Sequence, residues 1–212
     1  ADDLKEERSH SVSLSADLYH TFGKVQTNLL VEGFYTILDD VFALRDMDDA
    51  ADGGKVKERY NGSGATVRGF NVEGRSAFTR WFELQAGVTL QQSRYKEPEF
   101  WSEDAEVPPV RRMFRTPDAY GYFTASFKPV RNFTADLSGT CTGSMLVQHM
   151  AGSGVAQDVA VSTPSFFDMN IRLSYDVRIY KEITMQLYGG VQNLFNAYQK
   201  DFDKGVDRDS GY

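Results

Sequence analysis

Alternation of apolar and polar residues with a period of two runs through this sequence and constrains its fold more than any other feature. In residues 168–177 every odd position is apolar and every even position is polar or charged. Side chains point alternately to the two faces of a β-strand, so this segment predicts a strand with one dry face and one polar face. The same pattern recurs in other segments, namely residues 12–18, 29–37, 82–90, 119–127, 132–141 and 183–192.

One further segment, residues 64–74, alternates less cleanly around Gly69, where we expect a β-bulge. With this segment included, the sequence predicts an all-β fold, an antiparallel meander of about eight strands.

The connections between the predicted strands alternate between short and long. Short turns are predicted at residues 22–24, 75–80, 128–129 and 178–182, and long loops near residues 44–60, 96–118 and 143–165. In an antiparallel sheet all the short turns then lie at one end and all the long loops at the other. Bacterial outer-membrane barrels have this arrangement, with strands that are apolar outward and polar inward. The pattern therefore predicts a transmembrane β-barrel.

Composition and motifs argue against several other classes of protein. The chain has no run of about 18 apolar residues, which a membrane helix needs. Its net charge of −7, without clustered Lys and Arg, argues against nucleic acid as a partner. The single cysteine, Cys141, permits no internal disulfide and fits the strand pattern as a small apolar residue. No nucleophile motif, phosphate-binding loop or paired-His metal motif is present, so we do not expect an enzyme.

A soluble β-barrel or sandwich that binds a ligand is the alternative, because its strands alternate as well. In that case the apolar face would enclose a pocket. Two features favour the membrane: the strict asymmetry of the connections, and the Tyr and Phe residues that gather near the ends of the predicted strands, as in the aromatic girdles of membrane barrels. A requirement for detergent would separate the two interpretations.

Four short segments together resemble the C-terminal barrel of TonB-dependent outer-membrane receptors of the Bacteroidetes type. Residues 3–9, DLKEERS, resemble the family's lead into a barrel strand, although Ala1-Asp2 stands where the family has Asn-Pro. Residues 60–73 resemble its Y-x-N and G-x-E-x-E elements, and residues 114–117 its R-x-P loop exit. The most specific segment is residues 190–198, GVQNLFNAY, which is similar to the penultimate strand's G-V-x-N-L-F-N-x-x-Y.

This resemblance implies that residues 1–212 are an incomplete domain, the C-terminal portion of a receptor barrel. Such receptors enclose an N-terminal plug in a barrel of about 22 strands, and here the plug and the last strand are expected to be absent. The implied partners are the rest of the barrel and its plug domain, a TonB-type periplasmic energiser that acts through the absent N-terminal part, and outer-membrane lipid. The parent protein is expected in the bacterial outer membrane, where it would take up a scarce nutrient such as an iron siderophore, haem or a corrinoid by TonB-energised transport.

Two sets of residues are candidates for binding. His149 and Met150, in a predicted extracellular loop, are possible axial ligands for haem iron or contacts for another small nutrient. No resident cofactor is expected, but calcium is possible, because four carboxylates alternate around Gly205 and hard cations prefer such oxygens: Asp201, Asp203, Asp207 and Asp209. The competing interpretation of this segment is a solvated acidic loop. The inward-facing polar residues are expected to form the wall and contact the plug: Asn132, Asp136, Asp168, Arg172 and Asp176.

Overall fold

The computed structural model describes residues 4–47, 56–102, 104–152 and 154–199 as strands, turns and connections. Within these residues no helix is long and apolar enough to cross a membrane. Eight long strands carry the fold: β1 (Arg8–Phe22), β2 (Val25–Asp39), β5 (Ala65–Thr79), β6 (Phe82–Glu99), β8 (Ala119–Phe127), β9 (Phe133–Thr142), β12 (Phe166–Tyr180) and β13 (Ile183–Val191). Five short strands lie between them: β3 (Phe42–Met47), β4 (Val56–Asn61), β7 (Val110–Arg112), β10 (Leu146–His149) and β11 (Val159–Ser162).

The long strands form one antiparallel meander in the order β1-β2-β5-β6-β8-β9-β12-β13. Each pairs with the long strand that follows it in the chain, and β7 pairs with the far end of β6. Strands β3 and β4 form a separate hairpin, as do β10 and β11. The predicted all-β meander of eight long strands is therefore confirmed.

The expected bulge at Gly69 is wrong. Gly69 pairs in regular register with Phe34 on β2 and with Gln91 on β6, and the β5–β6 register instead shifts between Ala77 and Thr79, beside the turn. Gly69 interrupts the alternation because the ring of Phe34 occupies the space above it. A Cβ atom at residue 69 would stand 2.8 Å from Phe34 Cζ.

Glycines face aromatic residues across the ladder at four places. The pairs are Gly33 with Phe70, Gly69 with Phe34, Gly87 with Tyr122, and Gly139 with Phe123. At Gly69, Gly87 and Gly139 the ring lies so close that an added Cβ atom would stand within 3.0 Å of it, whereas at Gly33 a Cβ atom would stand 3.5 Å from the Phe70 ring, an ordinary contact distance. An aromatic ring that covers a cross-strand glycine stabilises the pairing of the two strands.

One face of the sheet carries an apolar row that runs from β1 to β12. The register aligns a row across neighbouring strands that contains no polar side chain: Leu18, Leu29, Gly74, Ala86, Phe123, Gly139 and Met169. Large apolar side chains on this face are exposed, Leu14 by 82% and Phe70 by 65%. A soluble ligand-binding barrel would enclose such a face, whereas lipid covers it in a membrane barrel. The outward face therefore suits lipid.

An aromatic cluster lies at the end of the sheet where the turns are short. The rings of Phe78 and Phe82 stack at 5.4 Å, those of Phe82 and Phe127 at 4.7 Å, and Trp81 lies 6.1 Å from Phe82. Aromatic side chains favour the boundary between hydrocarbon and headgroups. The cluster therefore forms, at the short-turn end, the kind of aromatic girdle that the sequence predicts for a membrane barrel.

Candidate functional site

The predicted long loops contain short β-strands. Strand β6 continues to Glu99 and pairs with β7, so part of the loop at 96–118 extends the sheet. The loop at 143–165 contains the β10–β11 hairpin. Where the chain leaves the main sheet, its backbone amide and carbonyl groups still need hydrogen-bond partners, and these short ladders supply them.

Two of these loops interlock at the loop end of the sheet, and we call residues 93–118 with 143–163 the loop cluster. Ser102 Oγ donates a hydrogen bond of 2.6 Å to Asp158 Oδ2. The Arg115 amide donates to the Leu146 carbonyl at 2.7 Å. Arg112 Nη2 donates to the Ser144 carbonyl at 2.7 Å. Because several bonds join them, the two loops form one ordered unit.

The interior of the loop cluster is among the most deeply buried regions of the described chain. Val147 is 1% exposed, and Ser93 and Thr163 are each 2% exposed. Rings of Trp101 and Phe114 meet edge to face at 5.5 Å. Burial raises the pKa of the Tyr95 phenol, against a smaller lowering by a hydrogen bond with the Phe114 backbone. The cluster thus has a small core of its own above the sheet.

His149 lies inside this cluster rather than on an exposed loop. It is the last residue of β10, pairs with Val159 and is 7% exposed. Met150 follows it and is half-buried. Their role as ligands of a bound nutrient stays a prediction.

The four aspartates predicted to bind calcium, Asp201, Asp203, Asp207 and Asp209, lie outside the described residues. In the part of the chain that the structure does describe, no group of three or more His, Cys, Asp or Glu residues could hold a metal ion. A calcium site in residues 201–209 stays a prediction.

The inward face carries polar side chains that bond across the strands. Gln85 Nε2 donates to Glu73 Oε1 at 2.9 Å and approaches the Tyr122 hydroxyl at 3.1 Å. This arrangement ties β5, β6 and β8 together on the face opposite the apolar one. Thr89 Oγ1 also donates to Asn71 Oδ1 at 3.2 Å.

A second polar group surrounds Arg172 on β12. Its guanidinium lies 4.6 Å from the centre of the Tyr188 ring, and Gln186 Nε2 donates to Asp176 Oδ1 at 2.9 Å. Asp136, which is opposite Arg172 in the register, accepts a bond of 2.7 Å from Ser126 Oγ. Of these side chains, Asp136, Arg172 and Tyr188 border a recess in the inward wall.

Four of the five residues predicted for the inward wall lie on that face. They alternate along β9 and β12 with the outward apolar residues: Asp136, Asp168, Arg172 and Asp176. Asn132 instead lies in the β8–β9 turn, with a φ of 71°. Its carbonyl accepts a bond of 2.8 Å from the Asp176 amide.

Two of the signature segments have clear structural roles. The Asn61 side chain accepts a bond of 2.7 Å from the Lys5 amide and donates one of 2.9 Å to the Lys5 carbonyl, so segments 56 residues apart in sequence meet. After β13, the Asn193 side chain bonds both backbone groups of Ala197, at 2.7 and 2.6 Å. Asn193 has a φ of 51°, a left-handed conformation that asparagine adopts more readily than most residues.

Sequence reasoning missed the residues that hold the loop cluster together. Asp158 accepts from Ser102 and also from the Ala151 amide at 2.7 Å. Single polar residues in a loop carry no periodicity, so nothing in the sequence distinguished Asp158 from its neighbours. The alternation did predict the polar face that contains Gln85 and Tyr122, but not their bonding.

Comparison with known proteins agrees with this architecture. The family model described as TonB dependent receptor-like, beta-barrel matches residues 1–194. The closed form of the ferric-catecholate import receptor Fiu from E. coli K12 superposes with a TM-score of 0.61 at 16% identity, covering 92% of this chain and 24% of that one. The copper transporter OprC gives 0.61 at 13% identity, with 92% and 26% covered. The siderophore receptor PirA from Acinetobacter baumannii gives 0.50 at 15% identity, with 88% and 28% covered.

No curated protein matches this chain. The chain spans about a quarter of the length of the three solved structures. At these identities the structures support the fold, and the family match extends over most of the sequence. The chain therefore belongs to the family of TonB-dependent receptor-like β-barrels, which are bacterial outer-membrane proteins, and its place is in the outer membrane.

Proposed function

We propose that this chain is a section of the wall and of the extracellular loops of a receptor that imports a scarce nutrient by TonB-energised transport. Proteins of the family are transporters rather than enzymes. The observation that carries the proposal is the combination of an exposed apolar outward face, a hydrogen-bonded polar inward face and an ordered loop cluster at one end of the strands. In the proposal, further strands and a plug domain complete the barrel.

A metal-bearing small molecule is our first candidate for the cargo. The three similar structures are described as receptors or transporters of ferric catecholate, copper and a siderophore. Their identity to this chain is low, so they support the class of cargo rather than one compound. Haem and corrinoids are further members of the class.

The loop cluster is the part of the described chain that we assign to cargo recognition. It stands at the extracellular end, and its hydrogen bonds fix the shape that it presents. Within it, His149 and Met150 provide an imidazole and a thioether, which are ligands for haem iron and for copper. The recess around Arg172 lies on the inward wall, where we expect the plug to dock.

Uptake by cells that produce the full-length receptor tests the proposal. We would measure accumulation of an iron-loaded catecholate, an iron-loaded hydroxamate, haem and Cu(II), each with and without an uncoupler of the inner-membrane proton gradient. We expect at least one probe to accumulate, and the uncoupler to abolish its accumulation. If no probe accumulated above receptor-free cells, or if accumulation resisted the uncoupler, energised import of this class of cargo would be rejected.

A His149→Ala variant tests the proposed ligand role of His149 separately from the import function. If His149 binds the metal of the cargo, accumulation falls about tenfold or more, the size expected for the loss of a buried interaction of about 1.4 kcal/mol. His10→Ala is the matched control, because His10 lies on β1 outside the loop cluster. Equal accumulation by the two variants would remove His149 from the site while leaving the import function intact.

A further inference from the structure

The short turns at one end of the sheet carry a marked excess of positive charge. Four short connections join consecutive long strands, namely residues 23–24, 80–81, 128–132 and 181–182. They contain one carboxylate, Glu182, and five cations, which we call the basic rim: Lys24, Arg80, Lys128, Arg131 and Lys181. The whole chain has a net charge of −7, so the basic rim runs against its overall composition.

The side chains of the basic rim are accessible to an anionic partner. All five are exposed. Among the described residues, none of the five forms an ion pair with a carboxylate. Lys181 Nζ lies 5.1 Å from the centre of the Tyr180 ring, a contact that leaves its charge uncompensated. The basic rim therefore creates a positive potential that attracts anions.

A recess lies between the β5–β6 turn and the β8–β9 turn. Three cations of the basic rim line it, namely Arg80, Lys128 and Arg131. The one carboxylate in its lining belongs to Asp176, whose Oδ1 atom accepts a hydrogen bond of 2.9 Å from Gln186 Nε2. Because three cations face one carboxylate that already has a hydrogen-bond donor, the recess suits an anionic group.

Trp81 links this recess to the aromatic cluster. It lines the recess, and its ring lies 6.1 Å from that of Phe82. The Lys128 amide donates to the Trp81 carbonyl at 2.7 Å, and Lys128 directly follows Phe127, whose ring stacks on Phe82. Aromatic side chains favour the boundary between hydrocarbon and headgroups. The cations of the recess are therefore next to side chains that favour this boundary.

We propose that the basic rim binds anionic phospholipids of the periplasmic leaflet, with a headgroup phosphate in the recess between Arg80, Lys128 and Arg131. The short turns of outer-membrane barrels lie on the periplasmic side. Lysine and arginine at a membrane surface are each attracted by anionic lipid, and a guanidinium group donates two hydrogen bonds to one phosphate. An acidic polypeptide would also compensate the charges, but the aromatic side chains beside them favour a lipid surface. The binding does not involve the loop cluster, so it is independent of the imported cargo.

The test is a binding titration of the delipidated full-length receptor in detergent, followed by native mass spectrometry. The probes are anionic phosphatidylglycerol, zwitterionic phosphatidylcholine, and polyglutamate, an acidic chain that is not a lipid. We expect phosphatidylglycerol to bind more tightly than the other two probes. The double variant Lys128→Gln with Arg131→Gln should bind it about 25-fold more weakly, since each cation near an anionic lipid contributes about fivefold. Lys128→Arg keeps the charge and should bind it like the unmodified receptor.

Arg111→Gln is the matched control, because Arg111 is an exposed arginine on β7, at the opposite end of the sheet. This variant should bind phosphatidylglycerol like the unmodified receptor, and heat-dependent gel migration should report a folded barrel for every variant. Equal binding of phosphatidylglycerol and phosphatidylcholine, or equal binding of phosphatidylglycerol by the double variant and the control, would overturn the proposal. Polyglutamate binding as tightly as phosphatidylglycerol would also overturn it, in favour of an acidic protein partner.

Discussion

Replacing Gly87 by alanine should destabilise the barrel wall through the ring of Tyr122. The added Cβ atom would stand 2.7 Å from Tyr122 Cε1 and 3.2 Å from Cζ, so the ring has to move away from β6. Its hydroxyl lies 3.1 Å from Gln85 Nε2, and displacement of the ring breaks this hydrogen bond.

The size of the effect follows from the two contributions. Forcing extra volume against a packed ring costs about 1–3 kcal/mol of unfolding free energy. Tyr122 is 38% exposed, so its hydrogen bond contributes at the lower end of the usual range, about 0.5–1 kcal/mol. The Gly87→Ala variant should therefore lose about 1.5–4 kcal/mol in total.

Gly74→Ala is the matched control. Gly74 lies on β5 beside Glu73, the cross-strand partner of Gly87, and a Cβ atom there would have no neighbour within 4 Å. Its free energy of unfolding should change by no more than about 0.5 kcal/mol. Guanidinium unfolding of the full-length receptor in detergent, followed by tryptophan fluorescence, measures both variants.

A double-mutant cycle identifies the mechanism. Tyr122→Phe alone should cost about 0.5–1 kcal/mol, and in the Gly87→Ala background it should cost almost nothing, because the bond is already broken. If Gly87→Ala and Gly74→Ala were equally stable, or if the cycle showed no coupling, the proposed contact between the ring and residue 87 would be refuted.

Three further predictions concern the loop cluster and the aromatic cluster. Asp158→Ala should speed proteolysis within residues 143–163 at least severalfold without changing barrel unfolding, because it removes the bond to Ser102 of the other loop and the bond to the Ala151 amide within its own loop. Asp104→Ala affects only local bonds and should leave proteolysis unchanged. Burial raises the pKa of Tyr95 in the folded state, so its neutral phenol stabilises the loop cluster fully below pH about 10, the ordinary pKa of tyrosine. This stabilisation is lost as the pH rises through the folded-state pKa. Tyr95→Phe should therefore remove the alkaline change in the fluorescence of the loop cluster. Phe127→Ala should cost about 1–2 kcal/mol more than Val130→Ala in guanidinium unfolding, because only Phe127 stacks on a neighbouring ring.

The sequence predicted the long strands well because each strand has one face in an apolar environment and one in a polar environment, and this imposes the period of two. Strand β13 begins at Ile183 as the alternation indicated, since polar and apolar positions change strictly from that residue. Strand β1 is longer than the predicted residues 12–18 and spans Arg8–Phe22. Its ends carry His10 and His20 at outward positions, so the apolar pattern stops before the hydrogen-bonded ladder does.

The loop cluster could not be predicted in the same way. Its core depends on contacts between segments far apart in sequence, such as the bond between Ser102 and Asp158, 56 residues away. Short ladders of four residues, such as Leu146–His149, are too brief for periodicity to be distinguished from chance. For that reason the sequence placed His149 in an extracellular loop without indicating its burial, which depends on neighbours that the sequence alone does not bring together.

The reciprocal pairs of Phe34 with Gly69 and Gly33 with Phe70 select one alignment of β2 and β5 among several. Sliding one strand by a single residue would turn its apolar side chains inward, so the two environments already reject odd shifts. A slide of two residues preserves both faces, yet it would set Phe34 against Val67 or Asn71, whose side chains occupy the space that Gly69 leaves open. The pairing of small with large residues thus excludes shifts of two residues, which the alternation of apolar and polar residues alone would permit. Barrel circumference and strand tilt depend on that choice.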